Sequence, residues 1–260
     1  MLLAVDIGNS NIVFGVYIKN EWKFEWRLET SLEVDANYYA VFIRSNFLES
    51  NLKIDDLQGV VLSSVVLERT QVVFEALQTL QVKDTLLVNA KVYDSLRVHV
   101  TNPVEIGTDL VANAVAAFEK HQQNCLVIDF GTALTFTVVE AIDVTGIGRI
   151  KGVSIAPGIR TAMHALVDNT SKLPEIPLEL PKSVIGKNTV HAIQSGILVG
   201  YVGLTEYMIA QIRKEVSSNL KVIATGGLSS VLKPLHKQFD EINPYLTLDG
   251  LRIIHDLCIE

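Results

Sequence analysis

The chain has 260 residues, 48% of them hydrophobic, with 22 Lys and Arg against 29 Asp and Glu and a net charge of −7. That length holds one large domain or two of about 130 residues each. The acidic balance, with no Lys/Arg cluster to offset it, excludes a general nucleic-acid binder. An anionic ligand must then be met locally, by backbone N–H groups, a few cations or a bound metal ion. Cys125 and Cys258 stand in no metal or redox spacing, and Cys125 beside an apolar run reads as a buried free thiol. No basic segment precedes the first apolar stretch, which breaks at Asp6, and no run reaches the roughly 18 apolar residues of a membrane span. A soluble cytoplasmic protein is expected.

The continuous apolar run Leu2–Val5 predicts a buried central strand. A second strand, 12–18, follows a tight turn at Gly8, and alternation over 23–28 after the Lys19-Asn20-Glu21 turn predicts a hairpin partner. Helices are expected near 37–48 and 68–80, with strands at 59–63 and 85–88. The Ala-rich stretch 109–121 reads as a joining helix whose small residues Ala112, Ala114, Ala116 and Ala117 suit an interdomain or subunit contact. The pattern then restarts: a strand at Leu126–Ile128, a turn, a second strand and a third near 148–155. Helices are expected at 159–169 and 189–216, a strand at 221–224, a Gly-Gly turn and a helix at 229–239. A Pro-containing loop between Leu166 and Ile185 (Pro174, Pro177, Pro181) is long enough for a lid or an interface arm. The expected fold is α/β: two duplicated domains, 1–115 and 116–260, each a mixed sheet with flanking helices.

The duplication is also chemical. Asp6-Ile-Gly-Asn-Ser-Asn11 and Asp129-Phe-Gly-Thr-Ala133 each leave a strand and turn straight into another. Such a turn suits a phosphate: glycine lets backbone come close, successive N–H groups make an anion nest, and the carboxylate can hold a metal ion. Gly8, Asn9 and Ser10 would present donors, as would the Thr132 hydroxyl. Each turn, taken singly, also reads as a plain hairpin or as an Asp satisfying turn N–H groups. Thr108 is a candidate N-cap with Asp109 in the first turn, and Asp109 is alternatively a general base. Gly226-Gly227, between a strand and a helix, can let an adenine ring or ribose lie against backbone, or is only a tight loop. The segment Gly152–Gly158 is a weaker candidate for an acceptor-pocket border. The six His show no metal-ligand spacing, and neither a P-loop nor a Rossmann fingerprint occurs.

Together these motifs resemble the actin-like ATPase and sugar/acetate kinase superfamily, whose domains are ribonuclease H-like. Within it the chain is similar to type III pantothenate kinases nearly end to end. The likeness rests on Asp6–Asn11, Asn102-Pro-Val-Glu-Ile-Gly-Thr-Asp109, Val127–Ala133, Ile155-Ala-Pro-Gly158, Ile185-Gly-Lys-Asn-Thr189, Ser195-Gly196 and Ala224-Thr-Gly-Gly227. The resemblance implies ATP-dependent phosphorylation of pantothenate to 4'-phosphopantothenate, the first step of coenzyme A synthesis. By it, Asp6, Gly8, Asn9, Ser10, Asn11, Val13, Thr132, Gly226 and Gly227 would touch ATP. Asp109 would accept the proton, Asp129 would bind the monovalent cation (K+ or NH4+), and Asp6 would hold Mg2+. Val100, Gly107, Thr108, Asp109, Leu110 and Thr189 would line the pantothenate site, in a homodimer.

Two positions depart from the family pattern. Leu110 stands where an Arg usually follows the catalytic Asp, and Val100 where an aromatic is common. Pantothenate carries a carboxylate, and a charge-assisted hydrogen bond to it is typically worth about 1.5–3 kcal/mol. Arg160 or Lys151 is the expected substitute. The alternative reading is an altered-acceptor or non-catalytic relative that binds nucleotide.

Overall fold

A computed structural model describes residues 1–142, 146–169, 176–216, 219–229 and 231–259. The chain separates into two compact units. The first is Met1–Glu119 with Tyr245–Glu260, and the second is Lys120–Pro244.

The first unit is built on β1 (Leu2–Ile7), β2 (Asn11–Ile18), β3 (Glu21–Glu29), β4 (Gly59–Ser64) and β5 (Asp84–Leu87), in the sheet order β3-β2-β1-β4-β5. β1 runs antiparallel to β2 and parallel to β4, and β4 runs parallel to β5. Leu3, Ala4, Val5 and Ile7 are fully buried, which is why this strand reads as a continuous apolar run. On edge strand β3 the alternating Trp22, Phe24, Trp26 and Leu28 face inward more than their neighbours, and the last three pack on the core.

Helix α1 (Ala36–Glu49) is capped by the Asp35 carboxylate, which accepts from the Tyr38 N–H at 2.9 Å. It buries Tyr39, Ile43 and Phe47, one every fourth residue. α2 (Leu67–Gln78) packs beside α1 and on β4. Short 3-10 turns at Ile54–Asp56 and Ala90–Ser95 and the two-residue strand β6 (Val98–His99) lead to α3 (Thr108–His121).

The second unit repeats the plan with β7 (Cys125–Phe130), β8 (Ala133–Ile142), β9 (Ile147–Pro157), β10 (Lys221–Thr225) and β11 (Glu241–Ile242). Its order β9-β8-β7-β10-β11 carries the same sequence of antiparallel and parallel pairings as the first sheet. Each sheet also has one register shift between its second and third strands, at Val16/Tyr17 and at Val138/Val139. α4 (Ile159–Asp168), α5 (Thr189–Gln194) and α6 (Gly200–Glu215) complete the unit, with a π-helical turn, Ser195–Val199, between the last two. Among the described residues no helix is long and apolar enough to cross a membrane. Cys125 is buried and in no disulfide, and its thiol donates to the Gln123 carbonyl at 3.3 Å.

Several expectations change. The predicted division at 115/116 falls instead after Glu119, inside the last turn of α3, and the final helix α7 (Leu246–Ile259) returns to the first unit, packing on β1 and β4. The small residues of α3 serve this packing: Gly250 of α7 sits against the Ala112 carbonyl. The helix expected at 229–239 is only a 3-10 turn, Lys233–Gln238, because Pro234 has no N–H for an α-helical bond. The single helix expected at 189–216 contains the π turn. Of the expected lid loop, Pro174 lies outside the described residues. Its described part is pinned, with Gln194 donating to the Pro177 carbonyl at 3.0 Å and the Ser195 hydroxyl to that of Val184.

A methyl group at Gly250 would run into the Ala112 carbonyl oxygen, which is backbone and cannot swing aside. Gly250→Ala is therefore expected to destabilise the protein by about 3 kcal/mol, as overpacking does, read as a lower urea midpoint. An unchanged midpoint would refute the close packing of α7 on α3.

Candidate active site

In the first unit, the residues singled out in the sequence converge on the carboxyl ends of β1 and β4. Asp6 lies opposite Val13 of β2 and opposite Ser63 of β4 in register. The turn Gly8-Asn9-Ser10 closes with the Gly8 N–H donating to the Asn11 carbonyl at 3.0 Å, and Asn9, Ser10 and Asn11 are exposed. Thr30, at the end of β3, clamps this turn twice. Its N–H donates to the Ser10 carbonyl at 3.1 Å and its hydroxyl to the Gly8 carbonyl at 2.7 Å.

On the β4 side, the Val65 N–H donates to the Ile7 carbonyl at 3.0 Å, and the Val65 side chain lies against Gly107. The expected Thr108 cap is not formed. Thr108 is the first helical residue of α3, and its hydroxyl pairs with the Ser63 hydroxyl at 2.8 Å and with the Ser64 N–H and carbonyl at 3.1 Å each. This ties the start of α3 to the end of β4 and sets Asp109 next to both.

One oxygen of Asp109, Oδ1, accepts from the Leu110 N–H at 2.8 Å. Burial raises the Asp109 pKa above the ordinary carboxylate value, and hydrogen bonds from the backbone of Leu110 and of Asp109 itself offset this only in part. Buried Tyr93 is pushed up to about 12, first by burial and then by the charge of Asp109. Leu110 and Val100 are both buried apolar side chains and bring no charge to the site.

In the second unit a tighter turn, one residue shorter between its flanking pairs, brings Asp129, Gly131 and Thr132 together, with the Gly131 N–H donating to the Ala133 carbonyl at 3.1 Å. Two glycines press on it. Gly226, at φ +87°, leaves no room for a Cβ beside the Asp129 carboxylate and the Phe130 backbone, and Gly158 lies against the Gly131 and Thr132 carbonyls. The Thr132 carbonyl also accepts from the Gly158 N–H at 3.0 Å and the Thr161 hydroxyl at 2.7 Å, which fixes the start of α4 on the turn. Gly227 follows with open space where a Cβ would point.

Thr189 is not part of this cluster. It lines a cavity of about 550 Å3 together with Leu166, Lys187 and Ile193. Leu166 lies eight residues beyond Gly158, about 12 Å along α4 from the turn at helical rise. Lys151, one of the expected substitute cations, is already paired with Glu140 at 2.9 Å, and Arg149 shares that carboxylate. Sequence reasoning missed Thr30, Thr161 and Tyr93, since each is an ordinary residue until strand register or a tight turn brings it to the site.

Two units that repeat one strand order, each with a carboxylate at the turn after its central strand, define a protein of the actin-like ATPase and sugar kinase fold. The chain is similar over 98% of its length, and 97% of the other chain, to a solved structure from Campylobacter jejuni assigned to the Baf family of transcriptional activators, with 19% identity and a TM-score of 0.58. A protein from Sinorhizobium meliloti assigned as a 2-dehydro-3-deoxygalactonokinase matches over 98% of this chain and 95% of its own, with 10% identity and a TM-score of 0.55. Both likenesses concern the fold. Sequence goes further: the family model of type III pantothenate kinase matches residues 2–211. A type III pantothenate kinase of Geobacter sp. (strain M21) is 37% identical over 98% of both chains. The chain belongs to the type III pantothenate kinase family. It is thus a kinase of coenzyme A synthesis whose substrates are ATP and pantothenate, and the non-catalytic alternative is not favoured.

The tight seat of Gly226 on the second turn gives a direct test. Gly226→Ala combines an unfavourable backbone region with a clash against Asp129 and is expected to cost about 3 kcal/mol. Thermal melting would show it, and a variant melting with the wild type would refute the seat.

Proposed function

We propose that Asp109 is the general base for phosphorylation of pantothenate. The observation that carries this reading is a carboxylate held at the first turn of α3, beside the ends of β1 and β4, with burial raising its proton affinity. The pantothenate hydroxyl oxygen attacks the γ-phosphorus, the bond from phosphorus to the bridging oxygen of ADP breaks, and ADP leaves. The hydroxyl proton passes to Asp109. Backbone N–H groups of Leu110 and of Asp109 itself hold this carboxylate in place to take it. Phosphoryl transfer asks mainly for positioning and charge neutralisation, so one carboxylate is enough. Gly107, Thr108 and Thr189 are assigned to pantothenate. Asp6, Gly8 to Asn11, Val13, Thr132, Gly226 and Gly227 are assigned to ATP, with the N–H groups of both turns neutralising the developing charge.

A divalent metal accompanies ATP, and we assign Asp6 to Mg2+. Among the described residues no group of three His, Cys, Asp or Glu side chains could hold a metal. Mg2+ usually keeps several waters and is bound by one or two carboxylates together with substrate phosphates. Bound there, the ion would neutralise charge on the transferring phosphates. Asp129 is assigned the monovalent cation, potassium or ammonium. The working form is taken as a cytoplasmic homodimer. Exposed Ile155, Val184 and Ile185 on the second unit are apolar side chains that a second copy could cover.

A coupled ADP-release assay tests the base. Asp109→Asn is expected to lower turnover by about 10²- to 10⁴-fold with ATP affinity nearly unchanged. The acid limb of kcat/KM should lie above the ordinary carboxylate range and vanish in the variant. Stability should move the other way. A carboxyl whose folded pKa is raised stabilises the fold below its unfolded value and loses that contribution as pH rises through the raised value. At neutral pH Asp109→Asn should therefore melt no lower than wild type, and any gain should shrink on acidification. Full activity in the variant would end the base assignment.

The cation assignment is tested separately. Asp129→Asn should raise the potassium concentration needed for half-maximal rate by about tenfold or more, as loss of a charged ligand would. Activity indifferent to potassium in the wild type would refute it.

A further inference from the structure

Lys187 has no part in the chemistry described so far, yet it occupies a built position. Among the described residues lining the second-unit cavity it is the one charged side chain, and the lining also includes Leu166, Ala192, Ile193 and Ile197. Its backbone is fixed on both sides. Gly186 lies flat on the His191–Ala192 backbone, where a Cβ would collide, and the Asn188 side chain caps α5 by accepting from the His191 N–H at 2.9 Å. Lys187 makes no ion pair with another described residue. The opposite wall includes Gly196 and Ile197 from the π turn, and Gly196 faces open space. A π turn inside a helix costs backbone hydrogen bonding and often marks a functional site.

We infer that this cavity seats the carboxylate end of pantothenate and that Lys187 is the cation that binds the carboxylate. The inference rests on the acceptor reading above. About 550 Å3 is within the range of small-molecule sites, which are mostly apolar with a few placed polar groups. Pantothenate ends in a short apolar chain bearing one carboxylate, so one cation at the rim of a mostly apolar cavity matches it. Of the other positions considered for this role, Leu110 is apolar and buried, Lys151 is paired with Glu140, and exposed Arg160 follows Gly158 at the turn end of α4 and does not line this cavity. A phosphate group would call for more donors, and the donor-rich turn at Gly131 and Thr132 lies at the opposite end of α4 from this cavity. Lys187 is exposed at the rim of this cavity, as are Asn188 and Thr189, so its ammonium is open to an anion arriving from solvent.

Calorimetric titration decides it, with pantothenate and with pantothenol, in which an alcohol replaces the carboxylate. Lys187→Met is expected to weaken pantothenate binding about 10- to 100-fold, the worth of one charge-assisted hydrogen bond, and to shift pantothenol binding less than about twofold. Lys187→Arg should recover most of the loss. Lys182→Met, which removes an exposed lysine outside the cavity lining, should change neither ligand. Equal weakening of both ligands, unchanged pantothenate binding, or no pantothenate binding by the wild type overturns the inference. So does a loss confined to inorganic phosphate, which would make the cavity a phosphate site. ADP release by the wild type is a separate reading. Lys187-dependent pantothenate binding without turnover would remove the proposed base chemistry and leave the carboxylate seat standing.

Discussion

The register of the central strand against its parallel neighbour is the constraint on which both units depend. Asp6 stands level with Ser63, and Asp129 level with Thr225. Whatever follows the neighbour strand therefore arrives beside the carboxylate. In the first unit this is Val65, packed on Gly107 and hence on the start of α3; in the second it is Gly226, packed on Asp129 itself. A slip of one residue would turn each Asp toward the opposite face of a strand whose other residues are almost all buried. Burial of Leu3, Val5 and Ile7, and of Leu126 and Ile128, thus fixes chemistry as well as stability.

Close backbone approach is the second requirement, and glycine supplies it where it counts. At Gly226 and Gly158 there is no space for a Cβ against the second turn, and at Gly186 there is none against α5. The first two contacts join segments far apart in sequence without intervening side chains. They place backbone N–H and C=O groups within reach of one another, as in the Gly158 bond to Thr132. A glycine seated this way is a specific geometric demand, different from a glycine that merely allows a loop to bend.

Much of this was legible in the chain. The repeated Asp-x-Gly turn announced two related halves because a strand that ends in a carboxylate and reverses at glycine leaves a local pattern. The continuous apolar runs gave the central strands, and alternation gave β3. What stayed hidden was set by distant contacts. The return of α7 to the first unit depends on Gly250 meeting Ala112, which no local periodicity reports. Thr30 becomes a clamp only through the β2–β3 register, which sets Asn11 opposite Glu29. The π turn leaves the same apolar spacing as an ordinary helix. Thr108 read as a cap because its local context favours one; Ser63 and Ser64 compete successfully for its hydroxyl.

The two halves share a plan and have diverged in how they use it. The first keeps the longer turn and clamps it from β3 through Thr30, while the end of β4 anchors the start of α3 and with it the half-buried Asp109. The second shortens the turn and clamps it from the helix side through Gly158 and Thr161, while its parallel neighbour ends in the Gly226 seat. Asp109 is half-buried beside the β4 anchor, and burial raises its proton affinity. The other half can be tightly packed around backbone, which is the condition a turn must meet to present fixed N–H groups to a phosphate. The halves have accordingly diverged into one with a half-buried carboxylate at the start of α3 and one with a turn seated on glycines, while their sheets remain alike.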